Sequence, residues 1–233
     1  MATVKCVKEP MLTKRSQRSG IKSKGKPSRI RLNIEDRRAQ LLEIGIKLFS
    51  KHGYDDISID AVAEVAGMCK GLLYHYFGSK REFYVATVKT ASMQLRSLTR
   101  PDRSLPRPQQ LVAALDKHLE YIKEHKAVYQ AMYRSGPAVA PEVGKILEQH
   151  REVIMRYLLE GLGVSKPKPL LRTALRAWMA MVEGASLDWV LDPVVSRQQL
   201  RDLFVAAYAA MLGKIVEEDP EIAQLLASSI AAA

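Results

Sequence analysis

The sequence has little that would support a disulfide framework, a membrane span or a secretory signal. Only two of its 233 residues are cysteine, and one of them lies in the N-terminal segment, so no disulfide framework is expected. The longest apolar run, residues 203–212, has about half the length that a membrane-spanning helix needs. No continuous apolar segment of the kind found in signal peptides occurs near the N-terminus. The sequence therefore predicts a cytoplasmic protein with reduced thiols and no membrane partner.

Strand signals are also absent from residue 34 onward, where neither alternating β-branched runs nor Asn-Gly hairpins occur. Apolar residues instead recur at the spacing of one helix face. The pattern predicts an all-α fold with a short helix capped by Ser58 and ending at Ala66-Gly67. The other predicted helices cover residues 35–52, 70–77, 79–99, 109–125, 127–134, 142–162, 170–191 and 196–217.

Acidic residues are nearly missing from the first 33 positions, which hold ten basic residues and one glutamate. This segment carries a net charge of +9, whereas the remaining 200 residues contribute only +2. It is rich in Ser, Gly and Lys and lacks periodicity, so we expect a basic disordered arm. Such an arm attracts phosphates without regard to sequence, although a solubilising extension is the alternative.

The stretch AGMCKGLLYHYFGSK, residues 66–80, is the strongest local concentration of reactive and aromatic side chains. Cys69 and His75 lie six positions apart, which places them about 120° apart around a helix, so they cannot share a metal or a proton. No second pair with metal-ligand spacing occurs elsewhere. We therefore expect no catalytic site, no metal site and no cofactor, and predict that the protein is not an enzyme.

The same stretch favours a helix-turn-helix motif at residues 58–77, because two short helices are joined by Ala-Gly-Met-Cys. Gly67 provides the positive φ of a tight turn. Leu73 and Phe77 share the side of the second helix that is predicted to be buried. The opposite side carries residues that suit a helix lying in a major groove, namely Gly71, Tyr74 and His75, flanked by Lys70 and Lys80.

In these residues the sequence resembles a known family. LFSKHGYDD, SIDAVAEVAG and KGLLYHYFGSKREF follow one another within residues 35–96, which look like the DNA-binding domain of the TetR family of bacterial regulators. Two positions depart from the family pattern: Cys69 replaces the usual Ser or Thr cap, and Leu72 replaces a frequent Thr. The resemblance implies contacts to double-stranded DNA from Ser58, Cys69, Lys70, Gly71, Leu72, Tyr74, His75, Tyr76 and Lys80.

The resemblance also implies how the chain is divided. The arm (1–33) would precede a three-helix DNA-binding domain (34–96), followed by a larger helical domain for effector binding and dimerisation (97–219) and a C-terminal tail (220–233). Apolar, aromatic and Met residues at helical spacing suggest an effector pocket, although plain core packing is the alternative. The candidate pocket residues are Tyr129, Met132, Tyr133, Met155, Trp178, Val182, Glu183 and Trp189.

Small residues on the last two predicted helices suit close packing between subunits, although packing within one chain would use the same pattern. These candidate interface residues are Ala177, Ala180, Gly184, Ala206, Ala210 and Gly213. Together with the resemblance they predict a homodimeric, nucleoid-associated regulator. We expect a repressor that a small apolar or amphipathic effector releases from a palindromic operator. The alternatives are a DNA-coating protein with weak sequence preference and, less favoured, a small helical enzyme.

Overall fold

The computed structural model describes residues 33–218 and residue 223, without the side chains of residues 134–137. Residues 1–32 of the predicted arm, and all of the predicted tail except residue 223, lie outside the described residues. The described chain is all-α, as predicted, and contains no strand. Its elements are α1 (Ile34–Phe49), α2 (Ile59–Val65), α3 (Lys70–Phe77), α4 (Lys80–Leu98), α5 (Arg107–Glu124), α6 (Lys126–Gln130), a π-helical turn (Ala131–Ser135), α7 (Gly136–Val139), α8 (Pro141–Leu162), α9 (Pro169–Leu191) and α10 (Arg197–Glu218).

Side-chain caps fix where several of these helices begin. Ser58 Oγ accepts a hydrogen bond from the Ala61 amide at 3.1 Å, and Ser79 Oγ accepts one from the Glu82 amide at 3.1 Å. Both bonds satisfy amides that have no partner inside the helix. The predicted cap at Ser58 is therefore confirmed, and the start predicted near residue 79 is one residue early because Ser79 is the cap itself.

Two predicted helix ends were wrong. The first helix was expected to reach residue 52, but α1 ends at Phe49 and a turn separates it from Gly53. The helix expected over 127–134 is α-helical only to Gln130 and then widens into the π-helical turn. After Phe49 the next three residues are polar (Ser50, Lys51, His52), so no apolar position marks whether the helix goes on. After Gln130, by contrast, Met132 and Tyr133 continue the apolar pattern although the backbone hydrogen bonding has changed, so periodicity alone does not mark the end.

Helices α1–α3, the first half of α4 and residues of α6, the π-helical turn and the start of α8 pack around one hydrophobic core, which includes Leu41, Phe49, Val62 and Leu73. Gly45 lets α1 approach α4 closely, since a Cβ at this position would lie 2.5 Å from Thr87 Oγ1. Gly67 has φ +63° in the turn between α2 and α3, which confirms the predicted positive φ. Helix α3 is thereby held at a fixed angle on the surface of a rigid unit.

A second core lies between α5, α8, α9 and α10. The Trp178 indole donates to the Phe204 carbonyl at 2.9 Å and so ties α9 to α10. Ser196 and Gln199 form the predicted capping box before α10, with reciprocal bonds of 2.9 and 3.2 Å. Helix α4 joins the two cores, because Tyr84 packs in the first and Leu95 in the second.

Candidate DNA-binding surface and ligand cavity

One side of helix α3 is buried in the first core, and its other side is exposed to solvent. Leu73 and Phe77 are 1% and 5% exposed and pack into the first core, as their spacing predicted. Gly71, Leu72, Tyr74 and His75 are exposed on the opposite side. Tyr76 is half-buried and packs against the edge of the core. The arrangement leaves a helix surface without neighbouring protein, on which side chains can reach an external partner.

The start of α3 lacks a side-chain cap. Cys69 occupies the N-cap position, its thiol is free and exposed, and it makes no capping hydrogen bond. The next residue, Lys70, instead donates a hydrogen bond from Nζ to the Asp60 carboxylate of α2 at 2.9 Å, and this bond raises the pKa of Lys70. Because both side chains are well exposed, this pair adds little stability, and the ammonium remains available to a phosphate.

Lys80, at the start of α4, lies against the aromatic side chains at the edge of the first core. Its Nζ lies 4.3 Å from the centre of the Tyr54 ring, a cation–π contact. Tyr54 in turn packs edge-on against the buried Tyr84 at 5.0 Å. The position of the Lys80 ammonium is thus set by the aromatic core. Contact with DNA stays a prediction for all nine residues that the family resemblance implies, from Ser58 to Lys80.

A cavity of about 530 Å³ lies between α5, α8, α9 and α10. Its wall is predominantly apolar, and four of the eight predicted pocket residues belong to it: Tyr133, Trp178, Val182 and Glu183. The end near Arg107 includes exposed residues such as Gly161, whose carbonyl accepts a hydrogen bond from Arg107 at 3.1 Å. The volume falls within the range of small-molecule sites.

The other four predicted pocket residues are placed elsewhere. Met132 packs in the core of the first domain, and Met155 is buried in the second core. Tyr129 donates to the Glu183 carbonyl at 3.5 Å, and the Trp189 indole donates to the Val195 carbonyl at 2.8 Å. Met155 illustrates the physical reason: it is rotated by about 100° from its neighbour Ile154, which does line the cavity.

An ion pair lies in the cavity wall. Arg151 binds the Glu183 carboxylate through Nε at 3.0 and 3.1 Å and through Nη2 at 2.8 Å. The Tyr133 hydroxyl donates to Glu183 Oε1 at 3.5 Å. Hydrogen bonding to Glu183 raises the pKa of Arg151 further. Glu183 was predicted in the pocket, but its partner Arg151 was not.

Two histidines in the cavity wall also escaped prediction as pocket residues. Burial lowers the pKa of His118 to about 4 and that of His150 to about 3, so both are neutral at physiological pH. His118 Nε2 lies 3.3 Å from Ser186 Oγ. His150 Nδ1 is buried and has no hydrogen-bond partner within the described part of the chain. The two histidines lie far apart in the sequence, and no local spacing signals that they share one cavity.

The six predicted interface residues are all exposed on α9 and α10: Ala177, Ala180, Gly184, Ala206, Ala210 and Gly213. Larger apolar side chains are exposed on the same helices, with Leu203 57% and Met181 36% accessible. Packing within one chain, the alternative reading of this pattern, therefore does not use these residues. Their contact with a second subunit stays a prediction.

Within residues 33–218 and at residue 223, no group of three or more His, Cys, Asp or Glu side chains is placed to hold a metal ion. No described helix combines the length and the apolar character that crossing a bilayer requires.

Two family models match this chain. Residues 41–87 match the model described as bacterial regulatory proteins, tetR family, and residues 108–211 match the tetracyclin repressor-like C-terminal domain. The first match contains α2 and α3 with the turn between them, and the second contains most of the cavity wall. The two matched regions thus coincide with the two sites described above.

Individual relatives agree with these models. The HTH-type transcriptional activator FasR of Mycolicibacterium smegmatis is 30% identical over 115 residues, covering 48% of this chain and 52% of that protein. The matches to FasR and the next two relatives span about half to two thirds of those proteins' own lengths. A tetR-family transcriptional regulator from Streptomyces coelicolor superimposes with a TM-score of 0.79 at 28% identity, covering 86% of this chain and 90% of that one. FadR from Bacillus subtilis, solved in complex with stearoyl-CoA, shares the fold with a TM-score of 0.59 at 16% identity, covering 72% and 98%.

Proposed function

Because the chain belongs to the TetR family of bacterial regulatory proteins, we propose that it is a sequence-specific transcription regulator whose affinity for DNA is controlled by a small apolar or amphipathic effector. The observation that carries this proposal is the presence of two separate sites. One is the exposed side of helix α3, which we call the recognition helix and which is supported by α1, α2 and α4; these four helices are called the head below. The other is a ligand-sized apolar cavity between α5, α8, α9 and α10.

Helix α3 supports direct reading of base edges. Its exposed side combines a glycine, which permits close approach, with Leu72, Tyr74 and His75, which differ in the groups they offer. Leu72 can contact thymine methyl groups, while the Tyr74 hydroxyl and the His75 imidazole can hydrogen-bond to bases or phosphates. Lys70 and Lys80 flank this surface and supply phosphate contacts that fix the register of the helix on the duplex.

The cavity supports an effector with a long apolar portion. Its wall is predominantly apolar and is formed by residues of α5, α8, α9 and α10. Bacillus subtilis FadR, a protein of the same fold, was crystallised in complex with stearoyl-CoA. This fold can therefore bind a ligand with a long acyl chain. For the present chain we propose an effector of comparable apolar character.

A segment touching both sites provides a route by which the effector could act on the head. Val128 and Met132 pack in the core of the first domain, whereas Tyr129 and Tyr133 face the second core and Glu183. The two tyrosine rings are 4.6 Å apart. These residues belong to α6 and the π-helical turn, a type of irregularity that is frequent at functional sites.

The link to the head continues through Tyr84 of α4. Its hydroxyl donates to the Ala131 carbonyl of the π-helical turn at 3.3 Å, and its ring packs against Phe49 and Tyr54. A ligand that displaces Tyr133 would change the position of the turn to which Tyr84 is bonded. We propose that this movement alters the angle of the head and weakens operator binding.

We further propose that the protein acts as a homodimer through the exposed small-residue faces of α9 and α10. Small side chains allow helices of two subunits to approach closely, and exposed Leu203 and Met181 would be buried by the same contact. A two-fold dimer presents two copies of α3, which predicts an operator made of an inverted repeat.

The test is selection of bound fragments from genomic DNA by the full chain, followed by affinity measurements on the enriched site and on random DNA. We expect an inverted repeat that is bound at least about a thousandfold more tightly than random DNA, and a clear reduction of that preference in Tyr74→Ala. Enrichment without a dyad, or equal affinity for random DNA, would instead indicate a DNA-coating protein. A reporter under the selected operator distinguishes repression, in which expression falls when the protein is present, from activation.

A further inference from the structure

The cavity wall contains two arginines whose charges are balanced differently. Arg151 binds both oxygens of the Glu183 carboxylate and also lies 3.6 Å from the carboxylate of Glu148. Arg107, the first residue of α5, donates from Nη1 to the Gly161 carbonyl at 3.1 Å and forms no ion pair with a described carboxylate. The charge of Arg151 is therefore compensated within the wall, whereas the charge of Arg107 meets only a neutral carbonyl group.

The acidic residues next to this position in the sequence are bonded to other groups. Asp102, in the loop before α5, accepts hydrogen bonds from the Ser104 amide at 3.0 Å and from the Ser104 hydroxyl at 2.6 Å. Glu160, near the end of α8, accepts a hydrogen bond from Arg103 at 2.7 Å. Arg107 is half-buried, and its carbonyl bond uses one of its five N–H groups. The other N–H groups have no described acceptor and can donate to a ligand.

A second hydrogen-bond donor of the wall lies level with the start of α5. Helices α5 and α10 run antiparallel, because Arg197 lies 3.7 Å from Glu120, whereas Arg201, one turn later, lies 2.9 Å from Asp116, one turn earlier. Tyr208 follows Arg201 by seven residues and is therefore level with position 109, seven residues before Asp116. Position 109 belongs to the first turn of α5.

The hydroxyl of Tyr208 is available for a ligand. Tyr208 is half-buried in the cavity wall, and its ring packs edge-on against Trp178 with the ring centres 5.0 Å apart. Burial alone raises the pKa of Tyr208, and its hydroxyl forms no hydrogen bond with a described residue. Because the group stays protonated at neutral pH, it can donate its hydrogen. A desolvated tyrosine hydroxyl usually has a partner.

We propose that the cavity binds a ligand with an apolar body and a carboxylate end group, and that Arg107 and the Tyr208 hydroxyl donate hydrogen bonds to this carboxylate. The inference rests on the proposed function, because it names the class of effector for the same cavity. A carboxylate accepts from both donors and compensates the charge of Arg107. A neutral end group leaves that charge uncompensated, and a cationic one is repelled by it.

The experiment measures the binding of three probes to the full chain at neutral pH by tryptophan fluorescence, since Trp178 lies in the cavity wall. Decanoate carries the carboxylate, decanamide has the same number of heavy atoms without the charge, and decylammonium carries the opposite charge. We expect decanoate to bind about tenfold more tightly than decanamide, and decylammonium to bind most weakly. Equal binding of decanoate and decanamide, or a preference for decylammonium, would overturn the proposal.

Variants of Arg107 then assign the preference to its charge. Arg107→Gln should bring the affinity for decanoate within about twofold of that for decanamide, whereas Arg107→Lys keeps the charge and should retain most of the preference. Lys123→Gln removes a positive charge from an exposed position of the same helix, outside the cavity wall. It is the matched control and should keep the full preference. An unchanged preference in Arg107→Gln would show that the carboxylate binds elsewhere.

Tyr208→Phe tests the second donor. It keeps the aromatic ring against Trp178 and removes only the hydroxyl, so decanamide should bind about as before while the preference for decanoate falls about threefold. An unchanged preference would contradict the assignment of this hydroxyl. If Arg107→Gln does not fold, the wild-type ranking of the three probes and Tyr208→Phe decide.

The outcome is separable from the proposed function. If the chain selects an inverted repeat but binds none of the three probes, the ligand class is wrong while the DNA-binding function stands. If the probes bind with the expected ranking but no operator is selected, the cavity assignment holds and the regulator function fails.

Discussion

Lowering the pH from about 7.5 to about 5.5 is expected to destabilise the domain that surrounds the cavity, because two of its histidines are buried in the neutral form. The pKa of His118 is lowered to about 4 and that of His150 to about 3, in both cases by burial, while an unfolded histidine titrates near 6.5. Below pH 6.5 the unfolded chain therefore binds protons that the folded chain does not. Stability that is fully present above pH 6.5 is lost as the pH falls toward the folded-state values.

The size of the loss follows from the same values. At a pH about one unit below 6.5, protonation favours the unfolded state by about 1.4 kcal/mol for each histidine, so the two together cost about 3 kcal/mol. The pKa of His125 is also lowered by burial, which adds a contribution of the same sign. Carboxylates such as Glu148, whose pKa is lowered by its hydrogen bond to Arg176, titrate only at lower pH and do not enter this window.

The assay is urea denaturation of the full chain at the two pH values. Unfolding is monitored by circular dichroism and tryptophan fluorescence, and the free energy of unfolding is obtained by linear extrapolation to zero urea. Replacing His150 with Gln should roughly halve the loss, because one of the two main titrating groups is removed. The exposed His52→Gln is the matched control and should keep the full loss. A free energy of unfolding that does not change between the two pH values would refute the conclusion that His118 and His150 are desolvated and neutral in the folded protein.

The remaining predictions concern the recognition helix, the subunit contact and the link between the two domains. Tyr74→Ala should weaken operator binding by about 1–3 kcal/mol with an unchanged melting temperature, whereas Leu73→Ala should lower the free energy of unfolding by about 2–5 kcal/mol through a buried cavity. Equal falls in melting temperature for both variants would contradict the facing of α3. Ala210→Arg should convert the dimer into a monomer in sedimentation velocity experiments, and Gln149→Arg, an exposed position on α8, should leave it dimeric. Tyr84→Phe removes the hydrogen bond to the π-helical turn and should cost about 1 kcal/mol of stability. It should also reduce, by a factor of two or more, the weakening of operator binding that a cavity ligand such as decanoate produces; an unchanged ligand effect would exclude this contact from the coupling route.

The sequence by itself determined the helices, their caps and the facing of α3. These features depend on residues within a few positions of one another: Ser58 caps the helix that follows it, Ser196 and Gln199 form a reciprocal pair, and Leu73 and Phe77 lie one turn apart. The local motif around Tyr74 was sufficient to indicate the family. The end of α6 was missed because apolar periodicity continues where the hydrogen-bonding pattern changes. The end of α1 was missed because the polar residues 50–52 offer no apolar position that marks it.

The cavity was decided by tertiary structure. Its wall brings together His118 from α5, His150 and Arg151 from α8, and Glu183 from α9, and no spacing along the chain relates these positions. Which residue faces the cavity depends on helix rotation, since a shift of one position turns a side chain by about 100°, as Ile154 and Met155 show. The low pKa of each buried histidine likewise follows from the helices packed around it, because desolvation is a property of the folded environment and not of the residue itself.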